Sequence, residues 1–313
     1  MALLANPLSS FFSSDDPIFV FTDPGIDDAL ALAMLTKSKN LQLLGACGVD
    51  GNVPSRVATA NLAGLLKLFG AKDTPVFQST VDDPAHEYPA DVHGKDGLGN
   101  IRIVKPRLRS KTSLVEFLKA QKGHFQILSL GPLTAVSDLL QKYPEIEQKV
   151  FRIVLMGGGF DRGNVTPFAE FNIYSNPEAA DEVFRSKIPK ILLPLDVTEK
   201  VTLESNDLER IKQIKRSAAA KALAGMLLFY FNFEKNKKKD GFFGGFMHDP
   251  SAVVAMTNPE FFKFRQAGVR VDTTNDKTRG RTVAKFSKGA NTWIALGIDQ
   301  EKVKRVIMDG LTE

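Results

Sequence analysis

The chain has 313 residues, of which 43% are hydrophobic and 25% charged, values typical of a globular protein with one large α/β domain or two small ones. No apolar stretch reaches the roughly 18 residues that a membrane-spanning helix needs, and a single cysteine, Cys47, excludes an internal disulfide. Much of the excess positive charge, +5 in all, lies in runs at 215–221 and 234–240 without interleaved aromatic residues. These runs lack the stacking platform of a nucleic-acid binder, so we interpret them as solvated surface, with weak attraction for anionic ligands as the alternative.

The first residues, "MALLANPLSSFFSSDDP", have only a broken apolar run and no basic segment before it. A secretory signal peptide needs both features. We therefore expect a flexible N-terminal leader over 1–17 and a single domain over 18–313. A lone cysteine and no export signal favour a cytoplasmic location.

Apolar, β-rich runs alternate with segments of helical periodicity. Strands are predicted at 18–22, 41–47, 125–130, 151–157 and 190–196, and helices at 27–36, 55–70, 133–143 and 177–186. Strands that are apolar on both faces are typical of a parallel sheet covered by helices. The pattern predicts an α/β fold with an open, mostly parallel sheet and flanking helices. The last third adds helices at 217–233, 249–256 and 299–311 and an antiparallel hairpin from 267–273 and 280–287.

Polar residues follow the predicted strands at their carboxyl ends, where parallel α/β sheets bind ligands. They suggest one oxygen-rich pocket along that edge. They are Asp23, Asp27 and Asp28 after the first strand, Asn52 after the second, "GPLT" after the third, Asn164, Glu170 and Asn172 after the fourth, "DVT" after the fifth, and His248 and Asp249 late in the chain.

Three carboxylates, Asp23, Asp27 and Asp28, occupy six positions directly before an apolar helix. Helix N-termini attract aspartate for capping and because of the helix dipole, but two carboxylates would satisfy that need. Like charges this close cost free energy unless a cation lies among them. Oxygen ligands without a Cys or His cluster favour Ca²⁺ or Mg²⁺ over zinc, with Asp249 either a distant ligand or only an N-cap.

The segment "AEFN" places Glu170 and Asn172 on either side of Phe171, so an extended backbone would face both to one side. An acceptor beside an amide suits vicinal hydroxyls such as those of a ribose, and a solvated loop is the alternative. The nearby "MGGG" lacks the residues of a phosphate-binding loop. Of the histidines, His93 lies in a turn-rich loop that could reach the pocket, and His248, next to Asp249, is the best candidate for a general acid.

Several segments together resemble the inosine–uridine nucleoside hydrolase family and occur in the same order. The resemblance runs from about residue 18 to the C-terminus, and 156–180 is its most specific part together with the N-terminal aspartates and "HDP". The segments are "TDPGIDDALAL", "GN" at 51–52, "HGKDGLG", "LGPLTAV", "VLMGGGFDRGNVTPFAEFNIYSNPEAA", "LDVT", "HDPSAVVAM" and "TRGRTV".

The resemblance implies a Ca²⁺-dependent N-ribohydrolase that forms dimers or tetramers. At matching positions, Asp23 would bind Ca²⁺ and act as the base that activates the attacking water. Asp28, Asp249 and the backbone carbonyl of Leu130 would complete the metal ligands. His248 would protonate the leaving base.

The same resemblance implies a substrate-binding set. Ribose hydroxyls would be held by Asp27, Asn164, Glu170 and Asn172, while Asn52 would lie near the sugar and base and His93 would line the base pocket. The sequence departs from the family pattern at four positions. These are Phe21 in place of the first aspartate of "DxDPGxDD", Asp50 in place of a small residue, Ala135 in place of asparagine, and Glu199 in place of histidine.

Two functions are therefore weighed: an active nucleoside hydrolase and a non-hydrolytic ribose- or nucleoside-binding protein on the same fold. Asp23 and His248 favour the enzyme, because binding alone needs neither a base nor an acid. Base preference depends on the loop around His93 and on 226–246, which combines aromatic residues and glycines with a charged tip. That segment is either a lid that closes over the base or a core helix followed by an exposed loop.

Overall fold

The computed structural model describes residues 17–81, 88–106, 112–214, 217–238, 241–274 and 276–312. Apart from residue 17, the predicted leader lies outside the described residues. The strands are β1 (Ile18–Thr22), β2 (Leu43–Gly48), β3 (Val76–Gln78), β4 (Phe125–Ser129), β5 (Val150–Met156), β6 (Lys190–Leu193), β7 (Thr202–Glu204), β8 (Gly244–Phe246), β9 (Phe262–Val271), β10 (Thr282–Phe286) and β11 (Thr292–Ile298).

The helices lie mainly between these strands. They are α1 (Ile26–Lys37), α2 (Ser55–Leu68), α3 (Ala90–His93), α4 (Leu114–Lys119), α5 (Thr134–Lys142), α6 (Pro144–Glu147), α7 (Phe171–Ser175), α8 (Pro177–Arg185), α9 (Leu195–Thr198), α10 (Ser205–Lys212), α11 (Ala218–Lys238), α12 (His248–Thr257) and α13 (Gln300–Thr312). None of the helices in the described part of the chain combines the length and the apolarity that a bilayer crossing needs.

Nine strands form one sheet in the order β10-β9-β11-β6-β5-β4-β1-β2-β3. Neighbouring strands from β3 to β11 are parallel, and β9 is antiparallel to both β11 and β10. The open, mostly parallel α/β sheet with flanking helices predicted from the sequence is confirmed. Because the strands are parallel, the residues that follow β1, β2, β4, β5 and β6 lie along one edge of the sheet.

The structure differs from the prediction at several elements, and the short strands β3, β7 and β8 were not predicted. Strand 190–196 ends at Leu193, because Leu195–Thr198 turns into the short helix α9. The hairpin of β9 and β10 is confirmed, but the sequence prediction missed β11, which lies between β9 and β6. The helix predicted to end at 233 continues to Lys238.

The side chains of β1 alternate between two cores, one on each face of the sheet. Ile18 and Val20 belong to a core formed with α1, α11, α12 and α13, whereas Phe19 and Phe21 belong to the core beneath α5 and α8. Helix α1 is buried on all sides from Ile26 to Leu35, as expected of a segment without exposed polar positions. This packing fixes the start of α1, and the aspartates there, against the end of β1.

Candidate active site

Asp28 is held by three donors at the start of α1. The Gly25 N–H donates to its Oδ2 at 2.9 Å, the Thr22 hydroxyl donates to Oδ1, and the Asn52 side-chain amide donates to Oδ2 at 3.3 Å. A methyl group on Gly25 would lie 2.7 Å from both Asn52 and His93. The turn between β1 and α1 therefore requires glycine, and it fixes the carboxylate of Asp28 in one orientation.

Asp23 is buried at the end of β1 and is held from one side only. The Asn52 N–H donates to Oδ2 at 2.6 Å, while Oδ1 has no hydrogen-bond partner among the described residues. Gly51 and Gly131 flank the carboxylate. A Cβ on Gly51 would lie 2.0 Å from Oδ2, and a Cβ on Gly131 would lie 2.3 Å from Oδ1. A buried polar atom without a partner calls for a bound ion or water.

Carboxylate oxygens of Asp27, Asp28 and Asp249 lie within 4.8 Å of one another. Burial and the charge of Asp28 raise the pKa of Asp27 to about 7. Burial, followed by the charges of Asp27, Asp28 and Asp23, raises the pKa of Asp249 well above its usual range. A cation among these acids would reverse those shifts, because it stabilises the charged form.

The four acids predicted from the sequence thus meet in one cluster. The resemblance assigned Asp23, Asp28 and Asp249 to the metal and Asp27 to the ribose. In the structure Asp27, rather than Asp23, joins the group with oxygens within 4.8 Å. Dense buried carboxylates and the unpartnered oxygen of Asp23 fit a hard divalent cation.

The expected extended conformation of "AEFN" is wrong. Glu170 is the N-cap of α7, and its carboxylate accepts hydrogen bonds from the backbone N–H groups of Gly158, Asn172 and Ile173 at 2.8, 2.9 and 3.2 Å. These donors begin a helix at Phe171 instead of continuing a strand. Burial raises the pKa of Glu170 to about 6 despite those hydrogen bonds.

Asn172 and Asn164 are nevertheless brought to the same rim as Glu170. The Asn172 side-chain amide donates to the carbonyls of Leu130 and Met156 at 2.8 and 3.1 Å, which ties α7 to the ends of β4 and β5. The side-chain oxygen of Asn164 accepts a hydrogen bond from the Phe171 N–H at 2.9 Å. The amides are therefore fixed in place before any ligand binds.

His93 ends the short helix α3 and is buried. Its Nδ1 accepts a hydrogen bond from the Ile26 N–H at 3.1 Å, so the neutral ring carries its proton on Nε2. Burial, and then the charge of His248, lowers the pKa of His93 to about 3. The ring stacks at 6.2 Å, centre to centre, on Tyr230 of α11.

His248 begins α12 directly before Asp249. Its Nδ1 lies 2.8 Å from the hydroxyl of Thr198 in α9, and its ring centre lies 5.8 Å from that of Phe246. Burial, and then the charge of Lys237, lowers the pKa of His248 to about 4. Thr198 was not identified as a contact of this histidine from the sequence, although it belongs to the conspicuous "LDVT" segment.

These elements enclose a cleft of about 890 Å³, counting space open to solvent. Asp23 and Asp28 do not line it. The predicted residues that do line it are Asp27, Asn52, His93, Leu130, Asn164, Glu170, Asn172, His248 and Asp249. Carboxylates and amides thus form much of the lining of the cleft.

The lining of the cleft also includes residues of the segment 226–246, which the sequence analysis named as a whole but not residue by residue. Helix α11 contributes Tyr230, Phe233, Glu234 and Lys237, and Phe246 comes from β8. The sequence signal was present in "YFNFEKNK", where aromatic residues recur at helical spacing. Within 226–246, the structure shows a helix as far as Lys238 that contributes to the lining of the cleft, and residues 239–240 lie outside the described part of the chain.

Three departures from the family pattern have structural partners. Phe21 is completely buried in the second core, with its ring centre 5.3 Å from that of Phe19. Glu199 lines the cleft and forms an ion pair with Arg162. The third, Asp50, accepts hydrogen bonds from the Tyr88 hydroxyl at 3.0 Å and the Ser55 N–H at 3.2 Å.

The sequence of this chain is similar to those of known nucleoside hydrolases. Residues 18–305 match the model of the inosine-uridine preferring nucleoside hydrolase family. The chain is 35% identical over 292 residues to uridine nucleosidase 1 of Arabidopsis thaliana, covering 89% of this chain and 86% of that protein. It is 35% identical over 277 residues to the pyrimidine-specific ribonucleoside hydrolase RihA of Salmonella paratyphi C, covering 86% and 88%.

Solved structures of nucleoside hydrolases have the same fold as this chain. The plant nucleoside hydrolase PpNRh1 superposes with a TM-score of 0.86 at 29% identity, over 96% of this chain and 99% of that one. The purine-preferring ribonucleoside hydrolase from Gardnerella vaginalis gives a TM-score of 0.87 at 28% identity, over 95% and 98%. The fold, the acidic cleft and these relatives define an N-glycosyl hydrolase. The chain belongs to the inosine–uridine preferring nucleoside hydrolase family.

Proposed function

We propose that the protein hydrolyses the N-glycosidic bond of ribonucleosides to a free base and ribose, in a Ca²⁺-dependent reaction with Asp23 as the base and His248 as the acid. The observation that carries this proposal is the buried Oδ1 of Asp23, which has no hydrogen-bond partner among the described residues. Its other oxygen is fixed by the Asn52 N–H. The free oxygen of a carboxylate arranged in this way can accept a proton from a water molecule bound beside it.

The proposed metal ligands are Asp23, Asp28, Asp249 and the carbonyl of Leu130. That carbonyl already accepts from Asn172, but an oxygen with two lone pairs can also face a cation. Ca²⁺ held there would neutralise the acids and lower the pKa of a water molecule. Asp27 belongs to the same acid group and lines the cleft, where its carboxylate would accept hydrogen bonds from the ribose.

The chain's own residues account for the rest of the reaction. Asn164, Glu170 and Asn172 would bind the ribose hydroxyls, and the nearby negative charge would stabilise an oxocarbenium-like sugar as the bond to the base breaks. Asp23 takes the proton of the attacking water, whose oxygen forms the new bond to C1′. His248, whose Nδ1 lies beside the Thr198 hydroxyl, is assigned as the donor of a proton to the departing base. Because its pKa is lowered to about 4, only a small fraction of the rings carries the extra proton at neutral pH, and the reaction uses that fraction.

Three further properties belong to the same proposal: assembly into a homodimer or homotetramer, a cytoplasmic location and a role in nucleoside salvage. They are supported by the family to which the chain belongs. Light scattering of the purified protein tests the first, because a monomer would contradict it.

The decisive experiment measures free ribose after incubation with inosine, uridine or cytidine in Ca²⁺. We expect ribose from at least one nucleoside, loss of activity in EDTA, and recovery when Ca²⁺ is restored. Tight nucleoside binding without release of ribose would instead support the non-hydrolytic alternative. Turnover that is unaffected by EDTA would contradict the role given to the metal.

A further inference from the structure

The lining of the cleft combines two chemical kinds of side chain. Asp27, Glu170 and Asn172 are polar and are assigned to the ribose, whereas Tyr230 and Phe246 are aromatic. Tyr230 stacks on His93, the residue assigned to the base pocket. We therefore place the base of a bound nucleoside against these aromatic side chains, next to helix α11.

Glu234 is the carboxylate that α11 contributes to the lining of the cleft. It is one turn beyond Tyr230, on the same face of the helix, and both residues line the cleft. Glu234 is only 4% exposed. Within the described residues, no hydrogen bond or ion pair is formed by its carboxylate. Burial raises its pKa, and the charges of Lys237 and Lys238 act in the opposite direction.

A second carboxylate in the lining, Glu199, pairs with Arg162 through one of its two oxygens. A carboxylate that faces a cleft without a hydrogen-bond partner can accept a hydrogen bond from an N–H of the ligand. Lys237 lines the cleft three residues after Glu234, with its ammonium 5.6 Å from the ring centre of Phe233, and so places a donor near that acceptor.

We propose that Glu234 selects the base by accepting a hydrogen bond from a ring N–H on the edge remote from the ribose. This inference rests on the proposed nucleoside hydrolase function. The N3–H of uridine and the N1–H of inosine are donors of this kind, and each lies beside a carbonyl that Lys237 can complement. Specificity follows because a site built to bind a polar hydrogen rejects an analogue that lacks it.

The test compares uridine with 3-methyluridine, in which a methyl group replaces the N3 hydrogen. Both are assayed with the wild-type protein, Glu234→Gln, Glu234→Leu and the control Glu301→Gln, which removes the same charge from an exposed helix start. For the wild type and the control we expect kcat/KM to favour uridine by roughly 10- to 100-fold, the range for a hydrogen bond to a charged group. In Glu234→Leu this preference should fall to within about threefold, and in Glu234→Gln it should be intermediate.

An equal preference for uridine in the wild type and both Glu234 variants would overturn the assignment. So would a wild-type enzyme that does not discriminate between the two nucleosides. Melting curves of the variants show whether a loss of rate reflects unfolding, and the ratio of two substrates on one protein is insensitive to the folded fraction.

Failure of the proposed function gives a different result. An aryl riboside, whose leaving group has no N–H, reports hydrolysis independently of base recognition. If neither it nor any nucleoside is cleaved, the hydrolase proposal fails. The preference is then measured on dissociation constants, so the role of Glu234 is still decided.

Discussion

The two ends of the parallel strands both bury charge, but they treat it differently. At the carboxyl end, Asp23, Asp27, Asp28 and Asp249 crowd together, and Oδ1 of Asp23 lacks a partner among the described residues. At the amino end, Lys190 is fully buried, yet its ammonium donates to the carbonyls of Ser186 and Ile188 at 2.7 and 2.8 Å.

Arg152 follows the pattern of the amino end. It is 1% exposed and donates through Nε to the Gln126 side chain at 2.7 Å, on the neighbouring strand. The two buried cations thus donate hydrogen bonds to neutral acceptors within the chain, whereas the clustered acids need a bound ligand to balance their charge. A buried charged group that has hydrogen-bond partners within the chain is part of the folded structure, whereas one that lacks them indicates a binding site.

The largest expected effect comes from substituting Asp23, at the carboxyl end of the strands. Asp23→Asn keeps the shape of the side chain but cannot take a proton from water, so kcat should fall by about 10²–10⁴-fold. The control Asp309→Asn, on the exposed face of α13, should keep the wild-type rate. Near-normal turnover by Asp23→Asn would refute its assignment as the base.

The acid cluster should also make stability depend on Ca²⁺. Saturation at a hundredfold excess over the dissociation constant should stabilise the folded protein by about 2.7 kcal/mol. Asp249→Asn removes one of the repelling charges and one ligand. In EDTA this variant should melt above the wild type, and Ca²⁺ should raise its Tm less. An Asp249→Asn variant with a wild-type response to Ca²⁺ would exclude Asp249 from the metal site.

The amino end should respond to pH in the direction set by Lys190. Burial lowers its pKa from 10.5 to about 7 in the folded state. Between those values the unfolded chain binds the extra proton, so this lysine makes unfolding less favourable as pH rises. From pH 7 to 8.5, the stability of the wild type relative to Lys190→Met should increase by about 1–2 kcal/mol.

Urea unfolding at several pH values measures this difference. Lys288→Met, on an exposed turn, is the matched control and should follow the wild type. A pH-independent difference between the wild type and Lys190→Met would show that the lysine is not desolvated in the folded protein.

The smallest effect is expected from the ion pair between Arg162 and Glu199, of which Glu199 lines the cleft. Arg162 is 64% exposed at its side chain, so its ion pair with Glu199 should contribute only about 0.2–1 kcal/mol. A double-mutant cycle of Arg162→Ala and Glu199→Gln on kcat/KM measures the coupling. A value well above this range would place the pair among the buried, site-forming charges.

The sequence predicts the acid end well because its signals are local. Asp23, Asp27 and Asp28 lie within six residues at the end of an apolar strand, and parallel topology then brings Asn52 and Asn172 to the same edge. The rest of the site is formed by residues that are far apart in the sequence. No local pattern indicates that Thr198 will contact His248, since 50 residues separate them.

Other errors arose from competing local signals. Alternation in "AEFN" resembled a strand, but the Glu170 carboxylate captured three backbone N–H groups and started a helix. The lysines at 235–238 resembled a loop tip, yet cations favour the end of a helix, and α11 continues through them. Since Glu234 lies just before those lysines, that error hid its position in the cleft.

The glycines around Asp23 have a consequence for anyone redesigning this protein. At Gly51 and Gly131, even the single carbon of alanine would overlap the carboxylate. In a library of all single substitutions screened for folded protein and for turnover, these two glycines should tolerate nothing. Asp23→Asn should pass the screen for folded protein and fail the screen for turnover. Comparing the two screens would therefore distinguish the glycines that shape the catalytic pocket from the residue that takes part in the reaction.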